Sequence, residues 1–208
     1  MSTRVAILGA GDLGQALARY AGVIDDLEIV GFLDDTCIGE QRAGLQVIAG
    51  VQQAENEHER GAFEALLMGI GYHHLDARRR LFERLQSIGF VSLVHPSAYV
   101  DPGAAIEAGA IIYPGCIVDQ GAVISQNALL NVGCVVAHDT TVGPHTFLGP
   151  GVELAGFIRI GERCFIGVGT TVIDNVTIAD GVQTGGGTVV IRDLEPGLWV
   201  GNPARKVR

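Results

Sequence analysis

Asn131, His138, Asp139 and His145 fall within fifteen residues of one another. They are side chains able to hold a polar substrate, take a proton and orient the group that takes it. Histidine titrates near neutral pH and acts as a general base, a step worth about 10² to 10⁴ in rate. Asp139, directly after His138, either raises that basicity or fills a corner of the backbone, because adjacent residues in an extended segment point to opposite faces. For a single histidine on an apolar scaffold, packing is the ordinary reading, so His138 has to be judged by what positions it.

A second constellation lies at the start of the chain. Arg4 to Leu8 is a short apolar run that ends in Gly9-Ala-Gly-Asp-Leu-Gly14, after which Ala16, Leu17 and Tyr20 recur at helical spacing. Strand, glycine turn and helix in this order bring backbone N–H groups close to a phosphate, and the helix dipole favours the anion. Gly11, Asp12 and Leu13 of the turn are therefore candidate substrate contacts. A second strand, Leu27 to Leu33, ends in Asp34-Asp35, an acidic pair placed to accept hydrogen bonds from a ribose or base, or to form a solvated turn. A third, Ala65 to Ile70, leads through Gly71-Tyr-His-His-Leu-Asp-Ala-Arg78 into a helix with Leu81, Phe82, Leu85 and Ile88 on one face. His73, His74 and Arg78 either touch a ligand or belong to a solvated loop and helix start. The result is an α/β domain over residues 1–94, a small Rossmann-like βαβ unit. It is too short for a full dinucleotide fold and suits a mononucleotide or nucleotide sugar better than NAD.

What positions His138 is a repeat. From Val100 every sixth residue is aliphatic, through Ile106, Ile112, Val118, Ile124 and Leu130 as far as Ile178; Thr184 interrupts the run and Val190 resumes it. A six-residue period is the mark of a β-helix: each repeat is a short strand and a corner, the aliphatic fills the interior and glycine supplies the corner dihedrals. Residues 95–208 are expected to form an all-β left-handed parallel β-helix, three hexads to an 18-residue coil, with polar residues on a rigid wall. Gly156 follows His138 by 18 residues, so the two are stacked neighbours. Cys116 and Cys134 stack in the same way, in the slot that elsewhere holds small residues, which favours core packing over a thiol pair or metal site.

The chain carries 14 Lys and Arg against 23 Asp and Glu, a net charge of −9, which argues against nucleic acid or an anionic membrane as partner. With no signal peptide and no long apolar run, it reads as cytoplasmic.

Several short motifs are spread along the whole chain: the turn at Gly9, Gly31-Phe-Leu-Asp-Asp35, His95-Pro-Ser-Ala98, Asn131 seven residues before His138-Asp139, Gly156, Gly185-Gly-Gly187 and Gly201-Asn-Pro-Ala-Arg205. In this order the chain resembles the bacterial nucleotide-sugar acyltransferases of the sialic-acid and bacillosamine type, a branch of the hexapeptide-repeat transferases serving surface polysaccharide synthesis. The resemblance implies a homotrimer with active sites between subunits. It also implies a nucleotide-sugar substrate, acetyl-CoA or another acyl-CoA as co-substrate, and no metal. It makes His138 the general base for a sugar amine, Asp139 its support, Asn131 a substrate contact and the Gly156 N–H the donor to the thioester oxyanion. The same resemblance implies that Val168, Gly186 and the segment from Gly201 to Lys206 form the coenzyme groove, with Arg205 and Lys206 for its phosphates. Two positions depart from the pattern. Leu13 replaces a histidine that contacts the nucleotide sugar, and Phe147 replaces one on the acyl side, where a phenyl ring makes an apolar wall.

O-acylation by the same base is the nearest alternative, since a hydroxyl can stand in for the amine. A non-catalytic oligomer that binds a nucleotide sugar is the alternative from another class. A zinc lyase would need three converging histidines, and the coils hold only His138 and His145.

Overall fold

The computed structural model describes residues 2–207 and divides after His95 into two compact units. In the first, β1 (Thr3–Leu8), β2 (Leu27–Leu33), β3 (Gln41–Arg42), β4 (Leu45–Ala49) and β5 (Ala65–Met68) form one sheet in the order β3-β4-β2-β1-β5. All its neighbours are parallel except the β3–β4 hairpin. That hairpin extends the three-strand expectation. It turns at Ala43 and Gly44, both at positive φ, as a two-residue hairpin connection requires. Helices α1 (Asp12–Ala21), α2 (Ala54–Glu59) and α3 (Leu75–Leu85) accompany the sheet. Leu8, Leu33, Phe63, Leu66, Met68 and Phe82 share its core, where the rings of Phe82 and Phe90 stack 4.4 Å apart.

The glycine turn is fixed by close packing. A Cβ on Gly14 would run into the Gly9 carbonyl, and one on Gly69 would lie 2.9 Å from the Gly14 Cα. The start of α1 thus rests directly on the ends of β1 and β5.

The second unit is a parallel β-helix whose strands pair with those 18 residues away. One face stacks Tyr99–Val100, Ile117–Val118, Val135–Val136, Glu153–Leu154, Thr171–Val172 and Val189–Val190. The second runs from Ala105–Ile106 through Val123–Ile124, Thr141–Val142 and Arg159–Ile160 to Thr177–Ile178. The third carries Ile111–Ile112, Leu129–Leu130, Phe147–Leu148, Phe165–Ile166 and Gln183–Thr184, and is continued by Leu198–Val200. From Ile112 on, the second residue of each pair in these three stacks points inward and is buried. The break at Thr184 has a structural cause: its buried hydroxyl accepts the Gly167 N–H at 2.8 Å and meets the Thr170 hydroxyl at 2.9 Å. Cys116 and Cys134 are fully buried and lean on backbone carbonyls, at Asn131 (3.0 Å) and Gly149 (3.2 Å), as packing residues do.

Candidate active site

Each coil turns a corner between faces, and one residue there takes left-handed dihedrals, at every sixth position from Gly109 to Gly187. Asp139 is such a residue, with φ +56°. The corner decides what the sequence left open, because the left-handed turn brings the Asp139 carboxylate round to the side of its neighbour. Oδ2 lies 3.0 Å from Nδ1 of His138. A carboxylate only accepts, so Nδ1 donates and Nε2 is left as the basic nitrogen. Asp139 therefore fills a corner and also orients the base. A Cβ on Gly121, one coil earlier, would lie 2.7 Å from Asp139 Oδ1; glycine there makes room for the carboxylate.

Gly156 stands on the same corner as His138, one coil on. A Cβ at this position would lie 2.7 Å from Cε1 and Nε2 of the imidazole. The ring is 43% exposed and meets Phe157 edge-on, with centroids 5.0 Å apart. Beneath this corner Thr140 is fully buried; its hydroxyl donates to the Ala155 carbonyl (2.8 Å) and accepts the Ile158 N–H (3.1 Å). It ties the chain on both sides of Gly156 to the segment that follows His138. Neither Thr140 nor Phe157 is among the candidates that the sequence offered. The available signals were a hydroxyl where the coil before carries Ala122 and the coil after Ile158, and an aromatic at a corner position.

The other candidates lie elsewhere on the prism. Asn131, Val168 and Gly186 occupy the corner that follows the third face, whereas His138 and Gly156 occupy the one that follows the first. Asn131 turns Oδ1 onto the N–H of Val132 at 2.8 Å. Val168 is 55% exposed, and a Cβ on Gly186 would touch its Cγ1 at 3.0 Å. Phe147 is 5% exposed and its ring lies 6.0 Å from that of Phe165, its neighbour one coil on in the third face. His145 is 2% exposed and takes a hydrogen bond from Asn127 at its Nδ1 (2.8 Å), a structural placement. Arg205–Lys206 pairs antiparallel with Leu198–Val200, and the Lys206 ammonium sits 6.0 Å from the Trp199 ring.

In the first unit a cleft of about 480 Å³ is lined by Gly9, Asp34, Asp35, Ile70, Arg80 and Arg84 among others. Gly11, Asp12 and Leu13 lie outside its lining: Gly11 is the N-cap of α1, Asp12 opens the helix, and Leu13 is half-buried with Gly71 beside it. Asp34 serves the fold as well as the cleft. Oδ2 accepts the Ala10 N–H (2.9 Å), and Oδ1 accepts the N–H (2.9 Å) and hydroxyl (2.6 Å) of Thr36. Burial alone would push this carboxyl up, but the donors from Ala10 and Thr36 together outweigh it and hold it below the usual carboxylate range. Asp35 accepts the Val51 N–H at 2.8 Å. Arg84 is braced on Gln52 and on the Val51 carbonyl, both at 2.8 Å. The two arginines on the cleft were not among the sequence candidates. Arg78 is buried and donates to the carbonyls of Met68 (3.2 Å) and Ile70 (2.8 Å), which makes it a brace for the strand end; His73 and His74 are exposed, in a turn after Gly71. Among the described residues no group of three His, Cys, Asp or Glu side chains is placed to hold a metal ion, and no helix is long and apolar enough to cross a membrane.

Comparison with known proteins adds the family. Residues 4–85 match the PglD N-terminal domain. PerB from Caulobacter crescentus, solved in complex with CoA and GDP-perosamine, is 30% identical over 97% of this chain and 96% of its own, with a TM-score of 0.91. The chain belongs to the bacterial nucleotide-sugar acetyltransferases of the hexapeptide-repeat family. This acetyltransferase is also similar to the acetyltransferase domain of PglB from Neisseria gonorrhoeae FA1090, at 28% identity over 99% of this chain and 100% of that one, TM-score 0.91. WeeI from Acinetobacter baumannii AYE shares the fold at 22% identity, with 99% of this chain and 100% of that one covered and a TM-score of 0.87. No curated protein matches the acetyltransferase.

Proposed function

We propose that this acetyltransferase moves an acetyl group from acetyl-CoA to the amine of a nucleotide-linked amino sugar, with His138 as general base. The observation that carries the reading is the stack of Gly156 on the imidazole of His138, whose other nitrogen is held by Asp139. A base and a backbone N–H one coil apart can serve the two ends of one addition step. The amine attacks the thioester carbonyl as its proton passes to Nε2 of His138. The oxyanion of the tetrahedral intermediate is stabilised by the Gly156 N–H. The intermediate then expels coenzyme A as a thiolate, and His138 returns the proton to sulfur.

The co-substrates follow the relatives: the acetyltransferase domain of PglB has been solved in complex with acetyl coenzyme A, and PerB with CoA and GDP-perosamine. The cleft beside Gly9 receives the nucleotide part, with Arg80 and Arg84 as cations for its phosphates and Asp35 toward the ribose or base. Asn131, Val168 and Gly186 belong to the same catalytic centre only if a second copy supplies them, because one chain places them on a different corner from His138. This supports a homotrimer with sites between subunits, in which Arg205, Lys206 and Phe147 flank the coenzyme. The reading places the reaction in the cytoplasm, ahead of polysaccharide or glycan assembly.

The test is release of free coenzyme A from acetyl-CoA with a panel of UDP-, GDP- and dTDP-linked amino sugars, run beside their hydroxyl counterparts. Thiol release with an amino sugar supports the reading. Release with hydroxyl sugars alone replaces it by O-acylation, and silence from an assembled protein favours the binding-only alternative.

A further inference from the structure

The left-handed corner position disfavours any side chain, because Cβ crowds the backbone; glycine fills it freely, and asparagine and aspartate tolerate it. This coil follows that rule at all but three of its corners, which hold His145, Arg163 and Phe157. His145 is buried and bonded to Asn127, and Arg163 is paired with Glu162 at 3.0 Å. Phe157 has neither burial nor a polar side-chain partner to account for it: it is a 53% exposed aromatic at φ +59°. A bulky residue held in a disfavoured conformation, with its ring exposed in the single chain, points to a task at this corner.

Its contacts name the task. The Phe157 N–H bond to the His138 carbonyl (3.1 Å) is the one that corner residues such as Asp139 and His145 also make to the preceding coil, so the ring carries the argument: it meets the imidazole at 87° with centroids 5.0 Å apart. Asp139 holds the same imidazole by hydrogen bond at Nδ1. We infer that Phe157 is a positioning residue for the general base. The phenyl ring and the Asp139 carboxylate restrain the imidazole at two separate points and keep Nε2 directed at the space beside Gly156. A hydrogen bond at Nδ1 alone leaves the ring free to swing about that contact, and the phenyl edge removes this freedom. The inference rests on the acyl-transfer reading of the corner.

Asparagine fills the same corner position at Asn127 and Asn175, so F157N tests the ring while relieving the backbone. Its Tm is expected at or above that of the parent. Its kcat is expected to fall at least about tenfold while both KM values stay within about twofold, since the loss is of base orientation and not of binding. F157Y, which keeps the ring, is expected to restore most of the turnover. The carbethoxylation rate of His138 with diethyl pyrocarbonate, followed by peptide mass spectrometry, is expected to rise in F157N and to stay at the parental value in F157Y. Parental kcat and parental His138 reactivity in F157N would overturn the inference. A joint fall of Tm and kcat would also overturn it, in favour of a structural role. If the parent protein transfers no acyl group across the sugar panel, it is the acyl-transfer reading that fails, and the modification rates alone decide whether Phe157 restrains His138.

Discussion

Gly156 lies so close to the His138 ring that the smallest side chain would displace it: a Cβ would sit 2.7 Å from Nε2, inside any contact distance real side chains accept. This follows from the repeat. Corner residues 18 positions apart are stacked, and the His138 side chain folds along the corner toward the next coil. Absence of a side chain at Gly156 is thus a condition for the rotamer that leaves His138 bonded to Asp139.

Gly156→Ala therefore separates catalysis from folding. Its methyl group pushes the imidazole off its place, and a displacement on the order of 1 Å costs about 10²-fold in turnover. The variant is expected to keep a near-parental Tm and lose kcat by about that factor. Parental kinetics would place the reaction away from this corner.

His138→Ala is expected to lower kcat by at least about two orders of magnitude with fold and assembly intact. Asp139→Asn keeps the corner conformation, which asparagine tolerates, but weakens the hold on Nδ1, and is expected to give a smaller loss in kcat with unchanged KM. Steady-state kinetics beside circular dichroism checks both; an active His138→Ala would remove the base from the mechanism.

Thr140→Val keeps the shape of the side chain and deletes the hydroxyl that serves Ala155 and Ile158. Two buried backbone groups lose a partner, so unfolding free energy is expected to drop by about 1 to 3 kcal/mol. Because those groups flank Gly156, kcat is expected to fall as well. A chevron or urea titration with parental stability would show that the hydroxyl is dispensable.

Asp34 links pH to the glycine turn. Burial pushes its carboxyl up, but the donors of Ala10 and Thr36 outweigh this and hold it below the ordinary carboxylate range, so the stability it contributes is complete above the unfolded value and is lost as pH falls through the lower folded value. Asp34→Asn is expected to have a lower Tm than the parent at neutral pH, with the difference closing below about pH 3.8. It is also expected to raise KM for the nucleotide sugar more than KM for the acyl donor. A Tm difference independent of pH would assign the effect to shape and not to charge.

The β-helix was legible because each structural unit spans six residues: the period, the inward aliphatics and the stacking of His138 with Gly156 are all local counting. The strands around the glycine turn were legible for the same reason, while the hairpin from Gln41 to Ala49 was not, since two short strands leave too few residues for an alternation to register. Side-chain direction at corners could not be counted. Asp139 reaches His138 from a corner position with positive φ, a property asparagine, arginine and phenylalanine share at the same position, so residue type does not announce it. The role of Asp34 depends on Ala10, 24 residues away and brought near by parallel pairing of β1 with β2. The six-residue period and the short motifs thus determined the fold and named the candidates. Only the tertiary structure decided which of them share a corner, because that depends on the turn of the backbone at each coil and on contacts between residues distant in the chain.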